Sequence, residues 1–414
     1  MLQLFKDKNF LRLCLVAFLM SSCLQLGGIV LPFAVKAIGG SDTDIGLCFL
    51  GQMGAYVICC ILTVPIIDRL KPKKVLLIAA GAGIIVSMGF LATVWYGNSD
   101  GIFLSPVGRL ILLMSMIGAI TAFFWPTLMG WVSTGFEGAE LTKRFGFYNA
   151  SWAIANTIFP VIGGYLMEIS YLLPLAAAVV MVILCFISVY QTKCISQSPK
   201  PHQDDNIVSQ QIPQQNRNFV WISRVALFTT LIYIGVLRSQ LGILYKFELR
   251  FTESNYGWAM SLMCLSNVII FWMMGRSHYW HYKKSLFALA QVSVVLCAII
   301  ILFSGSLAFQ LFAAGLSGIF YGFIYSSHQY YGVSGGIKRS GLMAIHETII
   351  GAGFATGALG GGILSDKFGR YSPYWFVGGA IIIAGSAEVI LWFITKRFFQ
   401  TSLKAKTSVF TSPT

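Results

Sequence analysis

Three charged residues stand inside otherwise apolar stretches of the chain: Arg238 (YIGVLRSQLG), Glu347 (MAIHETIIGAG) and Glu388 (GSAEVIL). A charge at the centre of a bilayer costs at least about 2.5–3.5 kcal/mol, so each is a functional candidate by position alone. A guanidinium presents five donors in a fixed fork that matches a carboxylate or phosphate. Arg238 is therefore the leading contact for a polar or anionic solute, with Gln240 and Tyr233 near it in sequence. His346 and Glu347 are adjacent, and a desolvated carboxyl and an imidazole both exchange protons within reach of neutral pH. They form the candidate proton-coupling pair, against the alternative of a latch to Lys338 and Arg339. Counting 1.5 Å per residue puts Arg238 and Glu347 about 13 Å apart along the helix axes, which separates them into two sites. Glu388 is read as a bond to a neighbouring helix.

Polar side chains recur at helical spacing in two further stretches. Asn149, Trp152 and Asn156 share one face, as do Tyr321, Tyr325, His328 and Gln329. In lipid such faces would waste hydrogen bonds, so they are expected to look into a cavity. Any single member serves equally well as a bond between helices.

Helices that span a bilayer must position these residues. The chain has 414 residues, 56% hydrophobic and only 11% charged, whereas soluble domains carry about 25% charged residues. Strands of alternating polarity are missing, which excludes a membrane β-barrel. Apolar runs of spanning length fall at 11–34, 45–67, 75–96, 109–132, 145–167 and 172–192, then at 222–245, 254–275, 285–305, 308–332, 341–364 and 374–395. The expected fold is all-α, twelve transmembrane helices in two six-helix halves (1–192 and 221–400). The polar stretch 193–220, rich in Gln, Ser and Pro, reads as a linker, and 401–414 as a tail.

The basic excess, 29 Lys and Arg against 15 Asp and Glu, points to membrane orientation and not to nucleic acid. With an even number of spans, twenty-two of the cations fall on the side of both termini and six on the other. The positive-inside rule then places the termini in the cytoplasm, with a bacterial inner membrane as the expected location.

The halves echo each other. Gly163, Gly164 and Glu168 match Gly361, Gly362 and Asp366, and Gly46 in span 2 matches Gly257 in span 8. Parallel repeats of this kind put a binding site between the halves near the midplane, reached by rocking one half against the other. Two segments carry a family resemblance: Asp68-Arg69-Leu70-Lys71-Pro72-Lys73-Lys74 after span 2, and Pro160-Val161-Ile162-Gly163-Gly164 in span 5. They resemble the major facilitator superfamily, whose loop signature reads G-x-x-x-D-R-x-G-R-[RK]. Val64 and Lys71 stand at its two glycine positions. A closer copy, Gly362-x-x-x-Asp366-Lys367-x-Gly369-Arg370, lies at the outer end of span 11 instead of in an inner loop.

The resemblance implies a secondary transporter that moves a small solute by alternating access in the bilayer. It implies a cavity lined by Gln25, Gln52, Tyr56, Trp125, Asn149, Trp152, Asn156, Asn267, Tyr321, Tyr325, His328 and Gln329. It also implies a cytosolic gate from Asp68, Arg69, Lys73 and Lys74, with Asp68 capping span 11 and the Gly353, Gly357, Gly361 stripe packing on span 2. Span 1 lacks the acid common in the family's proton-coupled sugar symporters and drug exporters. The Pro-x-x-Gly-Gly piece resembles a segment found in exporters, so an exporter of amphipathic compounds is the alternative, with a non-transporting sensor or assembly protein behind it.

Absences narrow the chemistry further. There is no Walker-type phosphate loop, no metal-ligand spacing and no nucleophile–histidine–acid arrangement, so neither enzyme nor cofactor is expected. The nine cysteines read as small packing residues.

Overall fold

The computed structural model describes residues 7–67, 70–97, 104–134, 138–193, 214–277, 279–333, 339–387 and 389–390, with side chains described at all of these except 63–67, 138–142, 214–218, 333 and 339–344. The helices are α1 (Lys8–Ala37), α2 (Asp42–Ile67), α3 (Pro72–Tyr96), α4 (Pro106–Ser133), α5 (Gly138–Ile169) and α6 (Leu172–Gln191). The second set opens with α7, built of Gln214–Val236, a π-helical turn Leu237–Leu241 and a last piece Gly242–Phe247. It continues as α8 (Glu253–Arg276), α9 (Lys284–Phe303), α10 (Leu307–Val333), α11 (Arg339–Phe368) and α12 (Ser372–Ala387). Eleven of these are long and apolar enough to cross a membrane, and α12 is a shorter apolar helix. The protein is an all-α integral membrane protein.

Local chemistry sets the ends. Asp7 accepts the N–H groups of Asn9 and Phe10 and starts α1, while Ser105 caps α4 ahead of Pro106. Gly97 and Gly369, both left-handed, stop α3 and α11. Most helices run a few residues past the apolar stretch because polar flanks still close backbone hydrogen bonds in the headgroup region. α7 starts at Gln214, inside what the sequence marks as linker, and residues 194–213 lie outside the described set.

Packing repeats between the halves. α1 packs on α5, and α7 on α11; α2 packs on α4, and α8 on α10. One contact shows why. A Cβ on Gly118 of α4 would sit 2.0 Å from the Gln52 carbonyl oxygen of α2, and one on Gly318 of α10 would sit 2.0 Å from that of Met263 on α8. Without a hydrophobic drive between helices in lipid, backbone-to-backbone approach of this kind supplies the dispersion energy. The halves meet along α2–α11 and α5–α8.

The glycine stripe departs from expectation. Gly353 and Gly357 press on the α7 carbonyls of Phe228 and Ile232, and Gly361 faces Val236 and Gln240 of α7. α11 is wedged between two helices, so α2 is met by another edge, through Gly351 on Val57 and Gly362 on the Asp42 carbonyl.

Candidate functional site

One end of the molecule is sealed by two equivalent cross-half contacts. At the first, Gly46 of α2 lies against the α11 carbonyl of Ala358, and Gly362 of α11 against that of Asp42. At the second, Gly257 of α8 lies against the Pro160 carbonyl of α5, and Gly164 of α5 against Ser254. Each contact ends in an acid that caps a helix of the other half. Asp366 accepts the N–H groups of Asp42 (3.0 Å) and Thr43 (2.7 Å), and Glu168 accepts that of Ser254 (3.2 Å). An anion at a helix N-terminus satisfies orphan donors and meets the positive end of the dipole.

Ion pairs thicken the seal. Lys36 binds Asp42 at 2.7 Å, and Arg370 reaches Asp42 at 3.8 Å and Glu248 at 2.7 Å. In the second contact Tyr171 of the first half joins the Lys246–Glu253 pair of the second, and burial pushes its phenol up. The Gly362–Arg370 segment thus supplies the glycine, the acid and the cation of the first contact. Asp68 and Arg69 lie outside the described residues. Lys73 donates to the carbonyls of Tyr190 and Thr192 (2.7 Å each), which ties α3 to α6 within one half and makes no bridge to the other. Lys74 is exposed.

Below the seal, polar side chains of both halves meet around Arg238. Arg238 projects from the π-helical turn of α7, where one extra residue in the turn re-aims side chains. The Tyr256 hydroxyl of α8 donates to the Arg238 carbonyl (2.9 Å) and holds that turn. The guanidinium donates to Gln25 of α1 at 2.9 Å and points a second nitrogen at the Cys264 sulfur, 3.7 Å away. Gln25 in turn donates to Asn156 of α5 at 3.0 Å. Three helices from both halves therefore converge on one cation, and among the described residues no carboxylate forms an ion pair with it.

The walls open away from Arg238. Asn149, two turns from Asn156, is exposed and accepts from Trp152 (3.1 Å), and Gln329 is exposed on α10. Tyr321 and Tyr325 of α10 stand edge to face, centroids 5.7 Å apart. Glu347 of α11 accepts the Tyr56 hydroxyl of α2 at 3.1 Å, and no Lys or Arg among the described residues pairs with it.

Other expected contacts fall elsewhere. His346 turns away from Glu347 and stacks on His328 of α10, with the two Nδ1 atoms 2.6 Å apart. Gln240 is buried at the sealed end and donates to the Asp42 carbonyl (3.4 Å), and Tyr233 bonds Ser317. Trp125 packs edge-on against Phe124 in the first half. Glu388 lies outside the described residues. A separate cavity of about 40 Å³ sits inside the first half among Cys23, Gly27, Ser87, Met114 and Val182, and holds none of the charged groups. Sequence reasoning missed Asp42, Ser365, whose hydroxyl donates to the Asp42 carboxylate, and Tyr256 as site-builders. No group of three His, Cys, Asp or Glu among the described residues fits a metal ion.

The sequence profile of the Major Facilitator Superfamily matches residues 13–336. The chain belongs to that family. It is a membrane transporter, not an enzyme. No curated protein matches it by sequence. Among solved structures it is similar to the nucleoside transporter NupG, with a TM-score of 0.71 and 12% identity over 93% of this chain and 99% of that one. It is also similar to a bacterial homolog of the human lysosomal transporter Spinster in an inward-facing, occupied conformation (TM-score 0.70, 11% identity, 95% of this chain and 97% of that one). A POT family transporter in complex with 5-aminolevulinic acid gives a TM-score of 0.71 at 13% identity, over 94% and 96% of the two chains. At these identities the likeness carries the fold alone.

Proposed function

We propose that the protein is a secondary transporter for a small organic anion, moved by alternating access between two six-helix halves. The observation that carries this is Arg238. A cation held between the halves without a counter-ion among the described residues, on a turn that aims it and beside two amides, is a site suited to a negative group. Gln25 and Asn156 supply further hydrogen bonds, Tyr321 and Tyr325 a wall, and Asn149 with Trp152 the approach. The charge bias of the loops supports an open end facing the cytoplasm of a bacterial inner membrane, with both termini on that side. His346 and Glu347 are the groups we assign to proton exchange, now as two separate positions.

The Pro160–Gly164 segment supports no preference for an exporter, because close packing of α5 on α8 through Pro160 and Gly164, and on α1 through Gly163, accounts for it. Binding of organic anions to the purified protein tests the reading. Arg238→Lys keeps the charge but loses the fork, and should weaken anion binding about tenfold or more while the protein stays folded. Equal affinity in both proteins overturns it.

A further inference from the structure

A second charge between the halves, of opposite sign, likewise lacks an ion-pair partner among the described residues. There Glu347 has a tyrosine hydroxyl for company and no cation. Arg238 has an amide and a thiol for company and, among the same residues, no anion. Two such groups in one low-dielectric space would gain by pairing with each other, and they do not. They stand on different helices, α7 and α11, and α10 packs against both. Tyr321 and Tyr325 stand edge to face on α10, and the Tyr325 ring lies 4.8 Å from that of His346, the neighbour of Glu347 on α11. The two rings cover about 6 Å of helix.

We infer that the transported solute is a zwitterion, its carboxylate or phosphate held by Arg238 and its ammonium by Glu347, with Tyr321 and Tyr325 along its length. This rests on the anion reading above and adds the second pole. A ligand with both charges neutralises both residues at once, whereas a simple anion leaves Glu347 bare. Aromatic faces suit the cationic end, because the ring quadrupole attracts ammonium groups. The two poles form no direct pair, so the chain length that binds best reads out their separation.

The test uses the full-length protein and matched probes: ω-aminocarboxylates from glycine to ε-aminocaproate, and the unsubstituted carboxylates of equal chain length. In the wild type the amino group should tighten binding about tenfold at the best length. Glu347→Gln should abolish that gain, and the unsubstituted carboxylates, freed of a like charge in the site, should bind at least as tightly as to the wild type. Glu347→Asp, which keeps the charge on a shorter arm, should shift the best probe to a longer chain, and it guards against a variant that misfolds. An amino group that brings no gain, or a gain that survives in Glu347→Gln, overturns the inference. Loss of every carboxylate ligand from the wild type would instead sink the anion reading itself.

Discussion

Asp366 and Thr43 belong to different halves of the chain, and the carboxylate of the first accepts both the backbone N–H (2.7 Å) and the hydroxyl (2.6 Å) of the second. The same device recurs where Glu168 meets Ser254. The acids sit at the ends of α5 and α11, and their partners at the starts of α8 and α2, which the internal repeat makes equivalent. The seal is therefore one contact used twice. Helix N-termini make good latches because the bond is strong when formed, yet the freed N–H groups are rehydrated when the halves part.

Asp366→Asn removes the negative charge and leaves the size nearly unchanged. A cap is worth about 1 kcal/mol, which converts to about a fivefold shift between sealed and open forms. Cys48 of α2 is fully buried behind this contact and provides a native probe. Its labelling by a small thiol reagent, read by peptide mass spectrometry, should rise about fivefold. Glu168→Gln, which loses fewer bonds, should do less, and both together more than either.

Gly357 offers a test of the wedge that holds α11. A Cβ there would lie 1.9 Å from the Ile232 carbonyl oxygen, a backbone atom that cannot swing aside. Gly357→Ala should cost about 1–3 kcal/mol by overpacking and lower the thermal midpoint in detergent. Gly378→Ala on α12 meets open space and should leave it unchanged.

The span count and the repeat were legible because lipid enforces both: unbroken apolar length gives the spans, and paired glycines and acids give the repeat. Gly46 with Gly257 and Asp366 with Glu168 came from sequence offsets alone, and they are the contacts that close the molecule. The end at which the halves close was not legible. The sequence places a gate at Asp68, Arg69, Lys73 and Lys74, at the other end, and a single chain that serves two states does not say in its residues which one is populated. The π-helical turn was hidden as well, since Leu237–Leu241 reads as ordinary helix until its carbonyls are traced. For His346 and Glu347, adjacency suggested a pair, but neighbours on a helix diverge by about 100°, so one meets α10 and the other α2.

Tyr256 should act on the solute without touching it. Its hydroxyl holds the Arg238 carbonyl in the π-helical turn, and its ring is fully buried against Phe33. Tyr256→Phe keeps the volume and loses one hydrogen bond, about 1 kcal/mol. The turn is then free to relax to α-helical register, which rotates the guanidinium away from Gln25. Anion affinity should fall severalfold while the thermal midpoint moves little. A fall in stability with affinity intact would assign Tyr256 to packing alone.

At the opposite end, Asp7 couples the start of α1 to α5. Its carboxylate accepts from Asn9, Phe10 and Arg144, the last at 2.8 Å. Burial pushes the carboxyl up, but the Arg144 hydrogen bond, the two backbone N–H groups and the Arg144 charge outweigh it and leave it below the usual carboxylate range. A carboxyl lowered in the folded state adds stability above its unfolded value of about 3.9, and that stability fades as the pH falls through the folded value. Asp7→Asn should therefore lower the thermal midpoint at neutral pH, and the gap from the wild type should close as the pH is taken below the carboxylate range. High salt should shrink the gap as well, because Asp7 is partly open to water. A gap that stays constant down to the lowest pH would mean that the cap geometry, not the charge, is what α1 needs.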